Sequence, residues 1–304
     1  MTLVASEKAR HGMVREALTD VLMDRAAWTH ARLQSGRDLG VELHEETITQ
    51  DLQLDISAAL PAMMVRTFTK RQEARTGADW QWEWWFEGRQ WFGLRVQAKR
   101  LKRLPSGQLG YDLGYQRGGN RRQIDVLIDD ARRVRVPAAY VLYNGPDLDI
   151  SKFTWGCHRL PPSPAFFGVS LLPAMVARDL VNAGTVDFTT VGARSRPWSC
   201  LASCDWPECH PFQRPEKTSP AHPADRSDDL SWRTALSYFR IQEQARLAGE
   251  LDAEQESASV PRQLPGLRDL PPPYVADFLA QDLLADSALP RRVGALTVFR
   301  ATTR

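Results

Sequence analysis

The stretch from residue 76 to residue 99 constrains the fold most, because its side chains alternate with a period of two in two successive runs. Polar residues alternate with large aromatic ones in the first run and with aliphatic ones in the second, which is typical of β-strands with one buried face. A three-residue loop containing Gly88 separates the runs and predicts a β-hairpin. The polar positions are Asp79, Gln81 and Glu83, then Arg95, Gln97 and Lys99.

The expected register brings three of these polar side chains together. If the hairpin is symmetric about Gly88, Asp79 lies directly opposite Gln97, and Lys99 lies two residues farther along the same face. Directly opposed residues of an antiparallel pair have Cβ atoms about 4.5–5.5 Å apart. A carboxylate, an amide oxygen and an ammonium group are therefore expected on one small patch.

An Asp followed on the neighbouring strand by (Glu or Gln)-x-Lys resembles the active site of the PD-(D/E)xK nuclease superfamily. The G-A-D sequence ending at Asp79 and the Q-A-K sequence ending at Lys99 are most similar to its Mrr-type restriction endonuclease branch, in which Gln replaces the usual Glu. The resemblance spans roughly residues 42–144. It implies a restriction-endonuclease-like α/β sandwich with a central mixed sheet flanked by helices. It also implies a metal-dependent endonuclease that hydrolyses phosphodiester bonds of DNA, as a restriction or anti-phage defence effector.

The resemblance gives each residue of the patch a role in Mg²⁺ (or Mn²⁺) chemistry. Mg²⁺ prefers oxygen ligands and usually takes one or two carboxylates. Asp79 would be the main ligand, Gln97 would add a neutral carbonyl oxygen, and Lys99 would hold or help to deprotonate the attacking water. Glu46 is the expected further metal ligand, because such nucleases often carry a glutamate on the helix before the hairpin. The alternative is that Glu46 only complements the dipole of its helix.

Basic residues are concentrated after the hairpin. Residues 95–135 contain eleven Lys or Arg and four Asp, although the net charge of the whole chain is only +2. Such a local excess beside the patch would suit a phosphate backbone, with a solvated helix surface as the alternative. The side chains predicted to bind nucleic acid are that of Gln123 and those of the basic cluster, Arg100, Lys102, Arg103, Arg121 and Arg122. DNA is the expected partner, and a partner protein or a homodimer contact is the expected route of activation.

The order of predicted elements in the first half is helix, strand, hairpin, helix and strand, which matches the core of the implied fold. The chain divides into residues 1–150, with the N-terminal helices and the nuclease core, and residues 151–304, an accessory α/β extension with a Pro-rich loop at 211–229. Helices are predicted at 6–33, 41–60, 123–134, 173–182, 232–252 and 274–284. Strands outside the hairpin are predicted at 63–68, 111–115, 138–144 and 293–302.

Several other classes of protein fit the sequence less well. No apolar run reaches the roughly 18 residues that a membrane span needs, and the first residues lack the apolar segment of a signal peptide, so we expect a cytoplasmic protein. Cys200, Cys204, Cys209 and His210 fall within eleven residues. Their spacing is not that of a common zinc knuckle, so packing is favoured over a zinc site and no zinc is expected.

Two functional alternatives remain open. A catalytically inactive nucleic-acid-binding module on the same fold is favoured by the Gln at position 97 in place of Glu. A protein-interaction subunit is favoured if the basic residues lie away from the patch. The tryptophans of the hairpin are interpreted as core residues, with stacking on nucleic-acid bases as the alternative.

Overall fold

The computed structural model describes residues 2–67, 81–88, 90–116, 121–145, 163, 165–203, 267–280 and 293–300. These residues form a mixed β-sheet with helices packed on both of its faces. The helices are α1 (Thr2–Asp38), α2 (Glu45–Ala59), α3 (Gln123–Arg133), α4 (Ala174–Asn182), α5 (Phe188–Arg194), α6 (Cys200–Ser203) and α7 (Pro273–Leu279). No helix in this part of the chain is long and apolar enough to cross a membrane.

The sheet is built around the predicted hairpin. Its strands lie in the order β1 (Met63–Thr67), β10 (Val293–Phe299), β2 (Gln81–Phe86), β3 (Trp91–Arg100), β6 (Ala138–Tyr143), β7 (Val169–Pro173) and β8 (Arg196–Pro197). The short β9 (Leu267–Arg268) also pairs with β3. A separate two-stranded sheet contains β4 (Lys102–Arg103) and β5 (Leu109–Gly110). Strands from both sides of residue 150 therefore belong to one sheet.

The hairpin strands β2 and β3 are antiparallel, whereas β3 and β6 are parallel neighbours joined through α3. A parallel pair needs such a crossover connection, usually a helix. The helix α3 can lie against the sheet because Ile124, Leu127, Ile128 and Ala131 form one buried stripe. The strand β6 is apolar along almost its whole length, as expected of a strand covered on both faces.

Each face of the sheet has its own core. On one face the helices α1, α2 and α6 pack against Trp82, Trp84 and Phe86 of β2. The core interpretation of Trp82 and Trp84 is confirmed, since both are buried. On the other face α3, α4 and α5 cover β6, and α7 covers Trp85 and β10.

The predicted α/β order of the first half is confirmed, with shifted boundaries. The first helix runs from Thr2 to Asp38 rather than over 6–33, and the second begins at Glu45 rather than at 41. The strand predicted at 111–115 is wrong, because Tyr111 and Leu113 alternate as buried residues of a loop. The predictions at 211–229 and 232–252 lie outside the described residues, as do parts of those at 274–284 and 293–302.

Candidate functional site

The hairpin has a register that differs by two residues from the predicted one. Gln81 pairs with Gln97 and Glu83 pairs with Arg95, so the expectation that Asp79 lies directly opposite Gln97 is wrong. Asp79 itself lies outside the described residues. A shift by two residues leaves every side chain on its predicted face, since successive side chains alternate. The polar and aromatic faces of the hairpin are therefore as expected.

Contacts near the turn explain the observed register. Trp85 pairs with Gly93, where an added Cβ would lie 2.5 Å from Cη2 of Trp85, so the indole needs a residue without a side chain. The next pair, Phe86 and Phe92, has stacked rings with centroids 5.8 Å apart. The predicted symmetry about Gly88 gives neither contact, because it pairs each of these residues two positions away.

Gln97 and Lys99 lie on the face of β3 that α3 covers. Gln97 is 4% exposed, and within the described part of the chain its Oε1 has no hydrogen-bond partner. Lys99 is half-buried, with its Nζ 5.7 Å from the centre of the Tyr115 ring. The structure therefore brings two of the predicted catalytic side chains together, one with an unsatisfied oxygen and one held over an aromatic ring.

Two acidic side chains, one at the start of α2 and one in the segment before it, reach the end of β3. Oε1 of Glu45 accepts a hydrogen bond of 3.2 Å from the backbone N–H of Arg100, and Glu42 forms an ion pair with the Arg100 guanidinium. The predicted ligand Glu46 is exposed, and its role stays a prediction. The helical period already favoured Glu45, which lies about 20° around the helix from buried Leu52, whereas Glu46 lies about 120° away.

A cleft of about 320 Å³ lies beside this end of β3. Its walls come from the end of α1 and the segment that leads into α2, together with Arg100, Leu101 and Gly145. Pockets of this size are typical of small-molecule sites. A ligand can therefore approach the carboxyl end of β3 next to Glu42 and Arg100.

The polar positions nearer the turn form a buried network that the sequence did not reveal. Glu83 and Arg95 are 0% and 1% exposed and form an ion pair. Glu83 also accepts hydrogen bonds from Trp85 Nε1 at 3.2 Å and from the Tyr274 hydroxyl at 2.6 Å. Arg95 Nη1 donates to Oε1 of Gln81 at 3.3 Å. Arg95 is thus buried and cannot contact a phosphate, although it was counted among the basic residues.

Most of the predicted phosphate-binding residues have acidic partners within the chain. Ion pairs join Arg100 to Glu42, Lys102 to Asp112, Arg121 to Asp129 and Arg122 to Asp125. Arg103 is exposed and donates to the backbone oxygen of Gly107 at 3.0 Å.

Gln123 begins α3 next to Tyr115. Its backbone N–H donates to the backbone oxygen of Tyr115 at 3.0 Å, while its side-chain Oε1 is buried and has no hydrogen-bond partner among the described residues.

Tyr140 of β6 lies directly beside Gln97, and sequence reasoning missed it because it reads as one residue of an apolar strand. Burial raises the pKa of Tyr140 strongly, the carboxylates of Asp125 and Asp112 raise it further, and Arg122 lowers it. The phenol therefore stays protonated at neutral pH and can donate a hydrogen bond.

The described residues contain no group of three or more His, Cys, Asp or Glu side chains that could hold a metal ion. Cys200 begins α6, whereas Cys204, Cys209 and His210 lie outside the described residues, so the expectation of no zinc stays a prediction.

Comparison with curated proteins and with solved structures found no match. A family model described as "Family of unknown function (DUF6615)" matches residues 18–304. Because this match covers nearly the whole sequence, the chain belongs to DUF6615, a family of unknown function.

Proposed function

We propose that this chain is a metal-dependent nuclease that hydrolyses phosphodiester bonds of DNA, with its active site around Gln97 and Lys99 at the end of β3. The observation that carries the proposal is the buried, unpartnered Oε1 of Gln97, two positions before Lys99 on the same face of a central strand. An unsatisfied buried acceptor destabilises a fold by about 1–3 kcal/mol. A bound cation or its water would compensate for that loss.

The element order supports a restriction-endonuclease-like core. A helix and a strand precede the hairpin, and a crossover helix then leads to a strand parallel to the second hairpin strand. The strand β10 between β1 and β2 is an addition to the order on which the resemblance is based. The proposed fold family therefore rests on the part of the sheet that contains β2, β3 and β6.

The donor set fits a hard cation such as Mg²⁺ or Mn²⁺, which takes oxygen ligands. Asp79 and Gln97 would hold the ion. Asp79 precedes Gln81, the partner of Gln97, by two positions in the sequence, which corresponds to at most about 7 Å of chain. Glu46 remains a proposed further ligand, and Glu45 is added because it already contacts β3. When bound, the cation would offset the negative charge that develops on the phosphate.

Lys99 would hold the attacking water and offset phosphate charge. The ring of Tyr115 at 5.7 Å favours an ammonium group near its face by cation–π attraction. This contact would restrict the directions in which the Lys99 ammonium can point. Gln123, at the start of α3 beside Tyr115, would brace the phosphate.

DNA binding by the basic cluster is compatible with its internal ion pairs. The pair of Arg121 with Asp129 has side chains 56% and 40% exposed, and that of Lys102 with Asp112 has both 39% exposed. Exposed pairs contribute only about 0–1 kcal/mol, so a phosphate can replace the carboxylate. We propose restriction or anti-phage defence as the setting, with activation by a partner protein or a second copy of the chain.

A plasmid cleavage assay tests the proposed activity. Wild-type protein should cleave plasmid DNA with Mg²⁺ or Mn²⁺ and not with EDTA, and Asp79→Asn and Lys99→Ala should abolish cleavage. Asp277→Asn is the matched control. It is the same Asp-to-Asn substitution, made at an exposed position of α7 away from the site. A folded Asp79→Asn protein that still cleaves DNA would contradict the assignment. Salt-dependent DNA binding without any cleavage would instead favour the inactive binding module.

A further inference from the structure

The hydroxyl of Tyr140 is a second unpartnered polar group next to Gln97. Gln97 and Tyr140 are paired residues of the parallel strands β3 and β6, and adjacent strands lie about 4.8 Å apart. Paired residues project from the same face of a sheet, and both side chains lie on the face covered by α3. Tyr140 is fully buried and Gln97 is 4% exposed, yet neither Oη of Tyr140 nor Oε1 of Gln97 has a hydrogen-bond partner among the residues that the structure describes.

The other buried tyrosines of the described residues show how unusual this is. The hydroxyl of Tyr111 donates to Asn144 and that of Tyr143 bonds to Thr49, while the hydroxyl of the half-buried Tyr274 donates to Glu83. Buried tyrosine hydroxyls usually find such a partner, because an unpaired one loses its hydration without compensation. Tyr140 therefore differs from them, and it does so directly beside the proposed active site.

The chemistry of the two groups defines what can lie between them. Oε1 of Gln97 can only accept hydrogen bonds, whereas the phenol of Tyr140 can donate one and accept others. An anion would face the Gln97 oxygen and the carboxylates of Asp125 and Asp112 against one guanidinium, that of Arg122, which also acts on Tyr140 electrostatically, so the surroundings disfavour it. A water molecule satisfies both groups, since it can accept from Tyr140 and donate to Gln97.

We propose that Tyr140 is a positioning residue of the Gln97 site: it donates a hydrogen bond to a water that in turn donates to Oε1 of Gln97. This water fixes the orientation of the Gln97 amide and leaves the second lone pair of its oxygen for the cation. The role toward the cation rests on the proposed function, whereas the shared water depends only on the two side chains.

Tyr140→Phe removes the hydroxyl and keeps the ring, and Tyr111→Phe is the matched control in the same core with a hydroxyl that has a protein partner. Mg²⁺ binding is measured by calorimetry on the full chain. We expect Tyr140→Phe to raise the half-saturating Mg²⁺ concentration at least about fivefold, and Tyr111→Phe to leave it unchanged. Urea unfolding checks that both variants fold.

A crystal structure of the metal-free full chain tests the water separately. We expect a water within hydrogen-bond distance of both Oη of Tyr140 and Oε1 of Gln97, and its loss in Tyr140→Phe. A dry niche, or direct pairing of the two groups, overturns the inference. Mg²⁺ binding that Asp79→Asn abolishes and Tyr140→Phe leaves unchanged overturns only the role of Tyr140. A wild-type chain that binds no Mg²⁺ overturns that role and the proposed function together.

Discussion

Replacing Glu83 with Gln should lower the free energy of unfolding by about 3–5 kcal/mol, because it leaves the buried guanidinium of Arg95 without its counter-charge. Both side chains are almost completely buried, at 0% and 1% exposure, so water cannot replace the lost carboxylate. Glu83 is also the acceptor for Trp85 and Tyr274. The amide of Gln would offer Arg95, Trp85 and Tyr274 one accepting oxygen instead of two. Its NH₂ group cannot accept a hydrogen bond and would face one of these donors.

Tyr274→Phe separates the hydrogen-bond part of this effect from the charge part. It removes only the 2.6 Å hydrogen bond to Glu83, and hydrogen bonds to charged groups contribute about 1.5–3 kcal/mol. The difference between Glu83→Gln and Tyr274→Phe therefore estimates the combined effect of the unpaired charge on Arg95 and of the altered hydrogen bond from Trp85.

Urea unfolding followed by tryptophan fluorescence gives these free energies, since Trp85 itself donates to Glu83. Asp129→Asn is the control, because it breaks an ion pair on the surface. In that pair the side chain of Asp129 is 40% exposed and that of Arg121 is 56% exposed. The free energy of unfolding of this control should fall by less than about 1 kcal/mol. If Glu83→Gln lowers the free energy of unfolding no more than Asp129→Asn does, the buried network does not contain a stabilising ion pair and the reasoning fails.

Four further predictions address the hairpin, a helix cap, the metal site and DNA. Gly93→Ala should destabilise the protein by about 1–3 kcal/mol in urea unfolding, because the new Cβ would lie 2.5 Å from Trp85; an unchanged midpoint would contradict this packing. Burial alone would raise the pKa of Asp187, but hydrogen bonds from Thr190 outweigh it and lower the pKa. Asp187→Ala should therefore cost about 1 kcal/mol at neutral pH. The difference from wild type should begin to fade as the pH falls to about 4, where the unfolded carboxyl starts to protonate, and should be lost only as the pH falls through the lower pKa of the folded state; a pH-independent difference would argue against the cap. Gln97→Glu should destabilise the metal-free protein and tighten Mg²⁺ binding measured by calorimetry, whereas equal affinity would place the ion elsewhere. The affinity of the basic cluster for duplex DNA should fall with salt, with a log–log slope near −0.9 per phosphate contacted, and a flat dependence would mean a solvated surface.

Local patterns were enough to predict the α/β order and the two faces of the hairpin. Period-two alternation placed Gln97 and Lys99 on one face, and the observed shift of two residues did not change that face. The register itself was wrong because it depends on contacts between side chains, above all the indole of Trp85 over Gly93, and not on the symmetry of the turn. Glu45 could have been preferred to Glu46 from helical geometry alone.

Long-range features could not be predicted from local patterns. The alternation that identified Glu83 and Arg95 as polar positions suggested a solvated face, but residues of α7 cover them, and Tyr274 lies almost two hundred residues away in sequence. The place of Tyr140 beside Gln97 depends on the pairing of β3 with β6, which periodicity within one strand does not contain.

The position of β10 in the sheet has a consequence for the order in which the chain can fold during synthesis. β10 lies between β1 and β2, yet it follows β2 by more than 200 residues. At about 5–20 residues per second, the ribosome needs about 10–40 s to add that length. Throughout this interval β1 and β2 have no partner along the edges that β10 will occupy, and open strand edges invite pairing with other chains. The hairpin that carries Gln97 and Lys99 therefore emerges early but can complete its sheet only late, so we expect the nascent chain to depend on chaperones that shield these edges.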